Sequence, residues 1–231
     1  MLIDHTNGRV IDVLEGRDKA AVVAWLRANK GGLLAHLAEV TCDMWDAYAE
    51  AAREVFGAAV RVTIDRFHVM KNFHDRLNEA RRELQNRLPA DQKAELKGSR
   101  WLWVTNPENL SPERRAELDK HKRRFPALAA LHDHRERLRR IFEDGRVTRP
   151  ATAVERLRAW CEQGRSLGLT ALAKFNRTLE NWMDGIANYF VARSSNGRTE
   201  GFNRGLRALL WRACGMTNFA HFRLRVLHAF G

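Results

Sequence analysis

The sequence predicts an α/β protein with a long all-helical middle, and three stretches carry that prediction. Glu39-Val40-Thr41-Cys42 reads as a short strand closed by Asp43 and followed by a helix. Val60 to Ile64 alternates apolar and polar residues, ends at Asp65 and is again followed by a helix. From Arg66 to about Phe190 strand signals nearly vanish while helical periodicity persists.

The elements follow in order. Leu2-Ile3-Asp4-His5 resembles the end of a strand, and Thr6-Asn7-Gly8-Arg9 is a hairpin signal, because Asn-Gly tolerates the positive φ angles of a type I′ turn. Val10 to Leu14 is the returning strand. Lys19 to Asn29 predicts a helix with Ala21, Val22, Trp25 and Leu26 on one side, ended at Lys30-Gly31-Gly32. Helices are expected over 44–56 and 71–97, the latter bent near Pro89, with an irregular or strand-like aromatic knot over 99–104. Further helices are expected over 112–123, capped by Ser111 with Pro112 at the first position, and over 126–143, 150–167 and 170–190. The last, from about Asn218 to Phe230, carries an apolar stripe of Phe222, Val226 and Phe230 with Arg223 and Arg225 off it.

Charge narrows the partners. The 231 residues hold 40 Lys and Arg against 28 Asp and Glu, a net charge of +12. Such a surplus attracts phosphate backbones or anionic lipid. No apolar run is long enough to cross a bilayer and no signal peptide opens the chain, so nucleic acid is the favoured partner and a cytoplasmic location is expected. Cys42, Cys161 and Cys214 lack metal-ligand spacing and read as reduced thiols in or near the core. Trp25, Trp45, Trp160 and Trp182 fall at helical positions and are expected to pack in the core. The runs Lys120 to Arg124 and Arg135 to Arg140 read as solvated helix faces, with phosphate contact as the alternative.

The candidate site residues are acidic. Asp43 and Asp65 each precede a helix, where Asp is a preferred N-cap. Carboxylates at the carboxyl ends of neighbouring parallel strands also converge on one crevice, an oxygen-rich setting suited to Mg²⁺ or Mn²⁺. A third carboxylate lies in Ser195-Asn196-Gly197-Arg198-Thr199-Glu200-Gly201-Phe202-Asn203-Arg204. A helix from about Arg198 puts Glu200, Asn203, Arg204 and Arg207 on one face and Phe202, Leu206, Leu209 and Leu210 on the other. Glu200 is then either half of an intrahelical ion pair or a metal-binding carboxylate beside an anionic substrate.

Four stretches resemble a known family: Val40 to Tyr48 around Asp43; Ile64-Asp65-Arg66-Phe67-His68-Val69-Met70-Lys71; Leu179-Glu180-Asn181-Trp182; and Ser195 to Asn203 followed by Arg212-Ala213-Cys214-Gly215. Together they are similar to the DDE domain of bacterial insertion-sequence transposases of the ISL-three type, in order from about Val10 to the end. The resemblance implies an α/β, ribonuclease-H-like core with a short mixed sheet, formed by residues 1–75 and 191–231, with a helical insertion over 76–190 before the helix of the catalytic Glu. It implies DNA cleavage and strand transfer at a two-metal site of two Asp and one Glu, holding Mg²⁺ or Mn²⁺. By position, Asp43 and Glu200 are the expected catalytic and metal-binding residues. Asp65 is the runner-up ligand and His68 a supporting residue. Asn203, Arg204 and Arg207, with Arg66 and Lys71, are the expected nucleic-acid contacts. The implied partner is double-stranded DNA at transposon ends, the implied assembly a homo-oligomer, and the implied setting the bacterial nucleoid when bound to DNA.

The chain departs from the family where the first strand and first Asp would stand. Asp4 is the only acidic residue nearby, and it adjoins the hairpin turn. A shortened transposase with an unpaired sheet edge, weak metal binding and little strand transfer is therefore expected. Mn²⁺-dependent DNA joining that disappears in Asp43→Ala would overturn that expectation. Two other readings stay open from the residues alone: a non-catalytic basic helical nucleic-acid-binding protein, with salt-dependent but metal-indifferent DNA affinity, and a metal-dependent nuclease.

Overall fold

The computed structural model describes the chain except for Arg17, Ser195, Asn196, Gly215 and the side chain of Arg198. The turn expected at Ser195-Asn196 lies outside the described residues. Two compact units are formed, one by Met1–Phe67 with Arg193–Gly231 and the other by His68–Ala192.

The first unit carries the strands. β1 (Leu2–Asp4) and β2 (Arg9–Asp12) form an antiparallel hairpin, and β3 (Glu39–Cys42) and β4 (Arg61–Ile64) form a parallel pair. These are two separate two-stranded sheets, not the single mixed sheet expected. The hairpin instead lays Val10 and Val13 against Val226, Phe202, Leu206 and Phe230, from the helices α11 (Gly197–Arg212) and α12 (Phe219–Phe230). Its turn is also not type I′. Gly8 has a positive φ of 68° but Asn7 does not. The carboxylate of Asp4 accepts from the N–H of Thr6 at 2.9 Å and of Asn7 at 3.0 Å, which favours a wider four-residue loop. Asp4 is thus committed to the turn.

α1 (Lys19–Asn29) is capped by Asp18, whose side chain accepts from the Ala21 N–H. It packs Val22, Val23 and Leu26 against Ala51, Val55 and Phe56 of α2 (Asp46–Phe56), the helix that connects β3 to β4. Trp45, expected in the core, is instead the half-exposed residue at the start of α2. Asp12 ties the unit together. Its buried carboxylate accepts from the Val13 N–H at 2.7 Å, Trp25 Nε1 at 2.7 Å and Arg223 Nε at 2.5 Å. Burial pushes Asp12 up, but these donors outweigh it and hold the carboxyl below its ordinary value. Arg223, which the pattern placed off the apolar stripe, is the residue that anchors α12 to β2.

The second unit is helical among its described residues. α3 (Arg66–Asn86) does not bend at Pro89 but stops before it, and a short α4 (Ala90–Glu95) follows. Proline lacks the N–H that would continue the ladder. The aromatic knot is a helix, α5 (Arg100–Val104), and not a strand, because Leu102 and Trp103 bury on one side of a single turn. α6 (Pro112–Arg124), α7 (Pro126–Glu143) and α8 (Pro150–Arg165) follow, and the expected 170–190 helix is broken at Trp182 into α9 (Thr170–Asn181) and α10 (Met183–Ala192). Phe73, Trp160 and Phe175 form an aromatic centre with ring centroids 4.8 to 5.8 Å apart, in which Trp160 meets both phenyl rings edge-on.

The run from Arg135 is solvated only in part: Arg137 and Arg140 are exposed, but Arg135 and Glu136 are not. The Arg135 guanidinium is buried and donates to the carbonyls of Val104 at 2.7 Å and Thr105 at 3.5 Å, to Asn106 Oδ1 at 2.6 Å, and to the carboxylate of Glu136. It closes the carbonyl end of α5 with a cation, where the helix dipole is negative. His134 is buried against Trp160 with ring centroids 3.9 Å apart, and neither ring nitrogen has a hydrogen-bond partner.

Two measurements check this packing. Asp12→Ala leaves Arg223 and Trp25 without their acceptor, and urea denaturation should show a loss of about 2–4 kcal/mol. Burial, and then the charge of Arg137, push His134 down to about 4 from an ordinary 6.5. The unfolded imidazole takes a proton below about pH 6.5 and the folded one does not, so stability is full above that pH and falls progressively towards pH 4. The urea midpoint should therefore drop between pH 7 and pH 4.5, and less steeply in His134→Gln.

Candidate functional site

The site is built on the β3–β4 pair. The strands run parallel with Glu39 opposite Arg61, Val40 opposite Val62, Thr41 opposite Thr63 and Cys42 opposite Ile64. Alternation sends Val40, Cys42, Val62 and Ile64 to one face and Glu39, Thr41, Arg61 and Thr63 to the other. The Asp65 N–H donates to the Cys42 carbonyl at 3.0 Å, so the ladder extends one step further. Asp43 and Asp65 therefore continue the polar face side by side at its carboxyl end, on strands about 5 Å apart. The sequence kept Asp65 behind Asp43; the register makes the two equivalent.

Capping does not account for Asp43, and it accounts for only one oxygen of Asp65. α2 begins at Asp46, its preceding residue is Trp45, and no side chain caps it. Asp43 Oδ1 is buried with no hydrogen-bond partner. Asp65 Oδ1 does accept from the Phe67 N–H at 3.2 Å in the first turn of α3, which is a cap. Its other oxygen, Oδ2, is also buried without a partner, in a residue only 1 % exposed. An unpaired carboxylate oxygen away from water is costly, and two next to each other invite a cation. The donor set, carboxylate oxygens alone, fits a hard divalent ion such as Mg²⁺ or Mn²⁺. Cys42, on the opposite face, does not compete as a ligand: burial first, and then the Asp43 charge, push its thiol up to about 12. Cys214, read as a core or near-core thiol, is exposed.

The other end of the polar face holds the chain that leads to Glu200. Glu39 accepts from Arg61 Nε at 3.4 Å, from the Thr63 hydroxyl, and from Ser194 Oγ at 2.8 Å. Thr199 lies 3.4 Å from His5 Nε2 of the hairpin loop. Glu200 itself is exposed and pairs with Arg204 at 3.6 Å one turn along α11. Among the described residues, no three His, Cys, Asp or Glu side chains gather into a metal-binding group, so Glu200 does not join the aspartate pair there. Asn203, Arg204 and Arg207 are exposed on the face of Glu200, while Phe202 and Leu206 turn to the hairpin; Leu209 is half-buried beside α12, and Leu210, expected with them, is exposed. Arg66 follows Asp65 and is half-buried, as is His68, and Lys71 is exposed one turn later on α3. The alternation Glu39-Thr41-Asp43 and Arg61-Thr63-Asp65 is the sequence signal that pairs the two aspartates.

Paired carboxylates at the end of a parallel strand pair, in a chain of net charge +12, define a basic α/β protein with a candidate cation site. The chain belongs to the transposase family of the DDE ISL-three type, whose family model matches residues 1–226. It is 25% identical over 233 residues to the transposase for insertion sequence element IS1001 of Bordetella parapertussis, covering 100% of this chain and 56% of that protein. It is 25% identical over 192 residues to the transposase for insertion sequence element IS1557 of Mycobacterium tuberculosis, covering 71% of this chain and 42% of that one. The chain thus spans about half the length of these curated relatives. No solved structure matches it significantly.

If the aspartates hold a cation, Mn²⁺ at ten times its Kd should stabilise the folded protein by about 1.4 kcal/mol. Differential scanning fluorimetry with and without 10 mM Mn²⁺ should show that rise, and Asp43→Asn with Asp65→Asn should abolish it.

Proposed function

We propose that this chain supplies the catalytic DDE core of an insertion-sequence transposase, cutting and rejoining DNA at the ends of a mobile element. The observation that carries the reading is the register that sets Asp43 and Asp65 side by side, each with a buried oxygen that no protein group satisfies. In this reading Asp43 and Asp65 hold a divalent cation from the strand ends, and Glu200 reaches the same centre when DNA is bound. Mg²⁺ or Mn²⁺, two ions in all, would supply an activated oxygen nucleophile and charge neutralisation at the phosphodiester. Glu200 is then released from its exposed pair with Arg204, a contact worth at most about 1 kcal/mol. The freed Arg204, together with Arg207 and Asn203, holds the phosphates flanking the scissile bond, and Arg66 and Lys71 extend the contact along α3. His68, in the first turn of α3, orients groups around Asp65. The two units correspond to a ribonuclease-H-like core and its helical insertion, and the working form on paired transposon ends is an oligomer of this chain.

A second reading has its own support. Glu200 is 51% exposed in its side chain and ion-paired to Arg204, which suits a basic protein that holds DNA without cutting it.

Iron-mediated oxidative cleavage separates the two. With Fe²⁺ in place of Mg²⁺, ascorbate, peroxide and duplex DNA, the polypeptide should be cut near residues 43, 65 and 200, and all three cuts should fade in Asp43→Ala. Cuts at 43 and 65 without one near 200 would remove Glu200 from the centre, and no site-specific cuts would leave the non-catalytic reading. Nicking of supercoiled DNA in Mn²⁺, at whatever rate the wild-type chain shows, should drop to background in Asp43→Ala and Glu200→Ala.

A further inference from the structure

Several cations of the second unit are spent on carboxylates. Arg76 meets Glu79, Arg87 meets Glu83, Lys122 meets Asp133, Arg139 meets Glu108, Glu136 and Glu143, and Arg156 meets Asp144. Where the end of α3 faces α4 and the start of α5, an open cleft of about 500 Å³ is lined by Arg81, Gln85, Lys93, Lys97 and Arg100. None of these four cations lies within ion-pairing distance of a carboxylate among the described residues, whereas Glu95 on α4 turns to Arg124. Arg81 spends one guanidinium nitrogen on Gln85 at 2.6 Å, and its Nε is buried without a partner. Burial, followed by the charges of Arg82 and Arg100, holds Arg81 below the ordinary arginine value, which marks uncompensated crowding of like charge.

The frame beneath this cleft is fixed. Leu96, Leu102 and Trp103 are buried, and buried Ser99 donates to the Leu96 carbonyl at 2.7 Å and accepts from Trp103 Nε1 at 3.3 Å. Gly98, at a φ of +81°, makes the reversal between α4 and α5. With Leu96, Ser99, Leu102 and Trp103 turned inward, Lys97, Arg100 and Trp101 must point out. Trp101 is 58% exposed, with the guanidinium of Arg100, a residue of the cleft, 5.0 Å from its ring centre.

We propose that this cleft is a second nucleic-acid site, in which Arg81, Lys93, Lys97 and Arg100 hold consecutive phosphates of a single strand and Trp101 stacks an unpaired base. It rests on the reading of the chain as a DNA-acting protein and adds to it a place, in the helical unit, for DNA that is not in duplex form. Cations without carboxylates bind a polyanion by releasing its counterions. An exposed indole beside them supplies the sequence-tolerant stacking surface that separates single strands from duplex.

The test is fluorescence anisotropy of the whole chain with a labelled 12-nucleotide oligothymidine and with a 12-base-pair duplex, over a range of salt. Lys93→Gln with Lys97→Gln should weaken oligothymidine binding about tenfold and flatten the log Kd against log salt slope by about 1.4, roughly 0.7 per lost phosphate contact. Trp101→Ala should weaken it roughly tenfold while changing duplex affinity less than twofold. These residues are exposed, and circular dichroism should confirm unchanged folding. Loss of binding in Arg204→Ala with Arg207→Ala, but not in the Lys93 and Lys97 double variant, would overturn this site and leave the functional reading standing. A wild-type chain that binds neither DNA would overturn both. If millimolar inorganic phosphate displaces the strand more than chloride of equal ionic strength does, and Trp101→Ala has no effect, the cleft is a free-phosphate site and the proposal fails.

Discussion

One backbone hydrogen bond governs the candidate centre: the Asp65 N–H to the Cys42 carbonyl, one step past the formal end of the β3–β4 ladder. It carries the parallel register beyond the strands and keeps Asp43 and Asp65 on the same face. A slip of one residue in either strand would send one aspartate to the apolar side with Cys42 and Ile64. The apolar side is packed, and that packing specifies the register. The chemistry of the polar face is therefore held in place by the burial of Val62, Ile64 and Cys42 behind it.

The same face has a division of labour along its length. At its start Glu39 is satisfied by Arg61, Thr63 and Ser194, and it fixes the chain that leads into α11. At its end the carboxylates are left short of donors. Satisfied polar groups stiffen a structure, and unsatisfied ones store a cost that a ligand can relieve. The helical unit shows the same contrast on its surface. Its carboxylates pair with some of its arginines, and a crowded group of cations without carboxylates lines a cleft near an exposed tryptophan.

Much of this was legible in the residues. The strand–Asp–helix units, the α1 boundaries, the Ser111 cap and the face of α11 bearing Glu200, Asn203, Arg204 and Arg207 follow from local signals. So does membership of the transposase family, through motifs spread along the whole chain. Local signals failed in three places. Asp4 drew the hairpin away from a type I′ turn, the burial of Leu102 and Trp103 made a helix of an ambiguous aromatic stretch, and Trp182 divided a continuous periodic run.

By itself, the sequence determined the alternation of apolar and polar residues, the surplus of cations and the order of the acidic motifs, because these are properties of neighbours along a chain. Only the tertiary structure decided that Asp65 stands level with Asp43, that Asp12 is spent on Trp25 and Arg223, and that Arg135 is buried under a helix end. Those outcomes depend on which groups meet across tens to hundreds of positions. A carboxylate or guanidinium with a partner becomes a strut and one without becomes a site, and that difference is set by burial and register rather than by residue type.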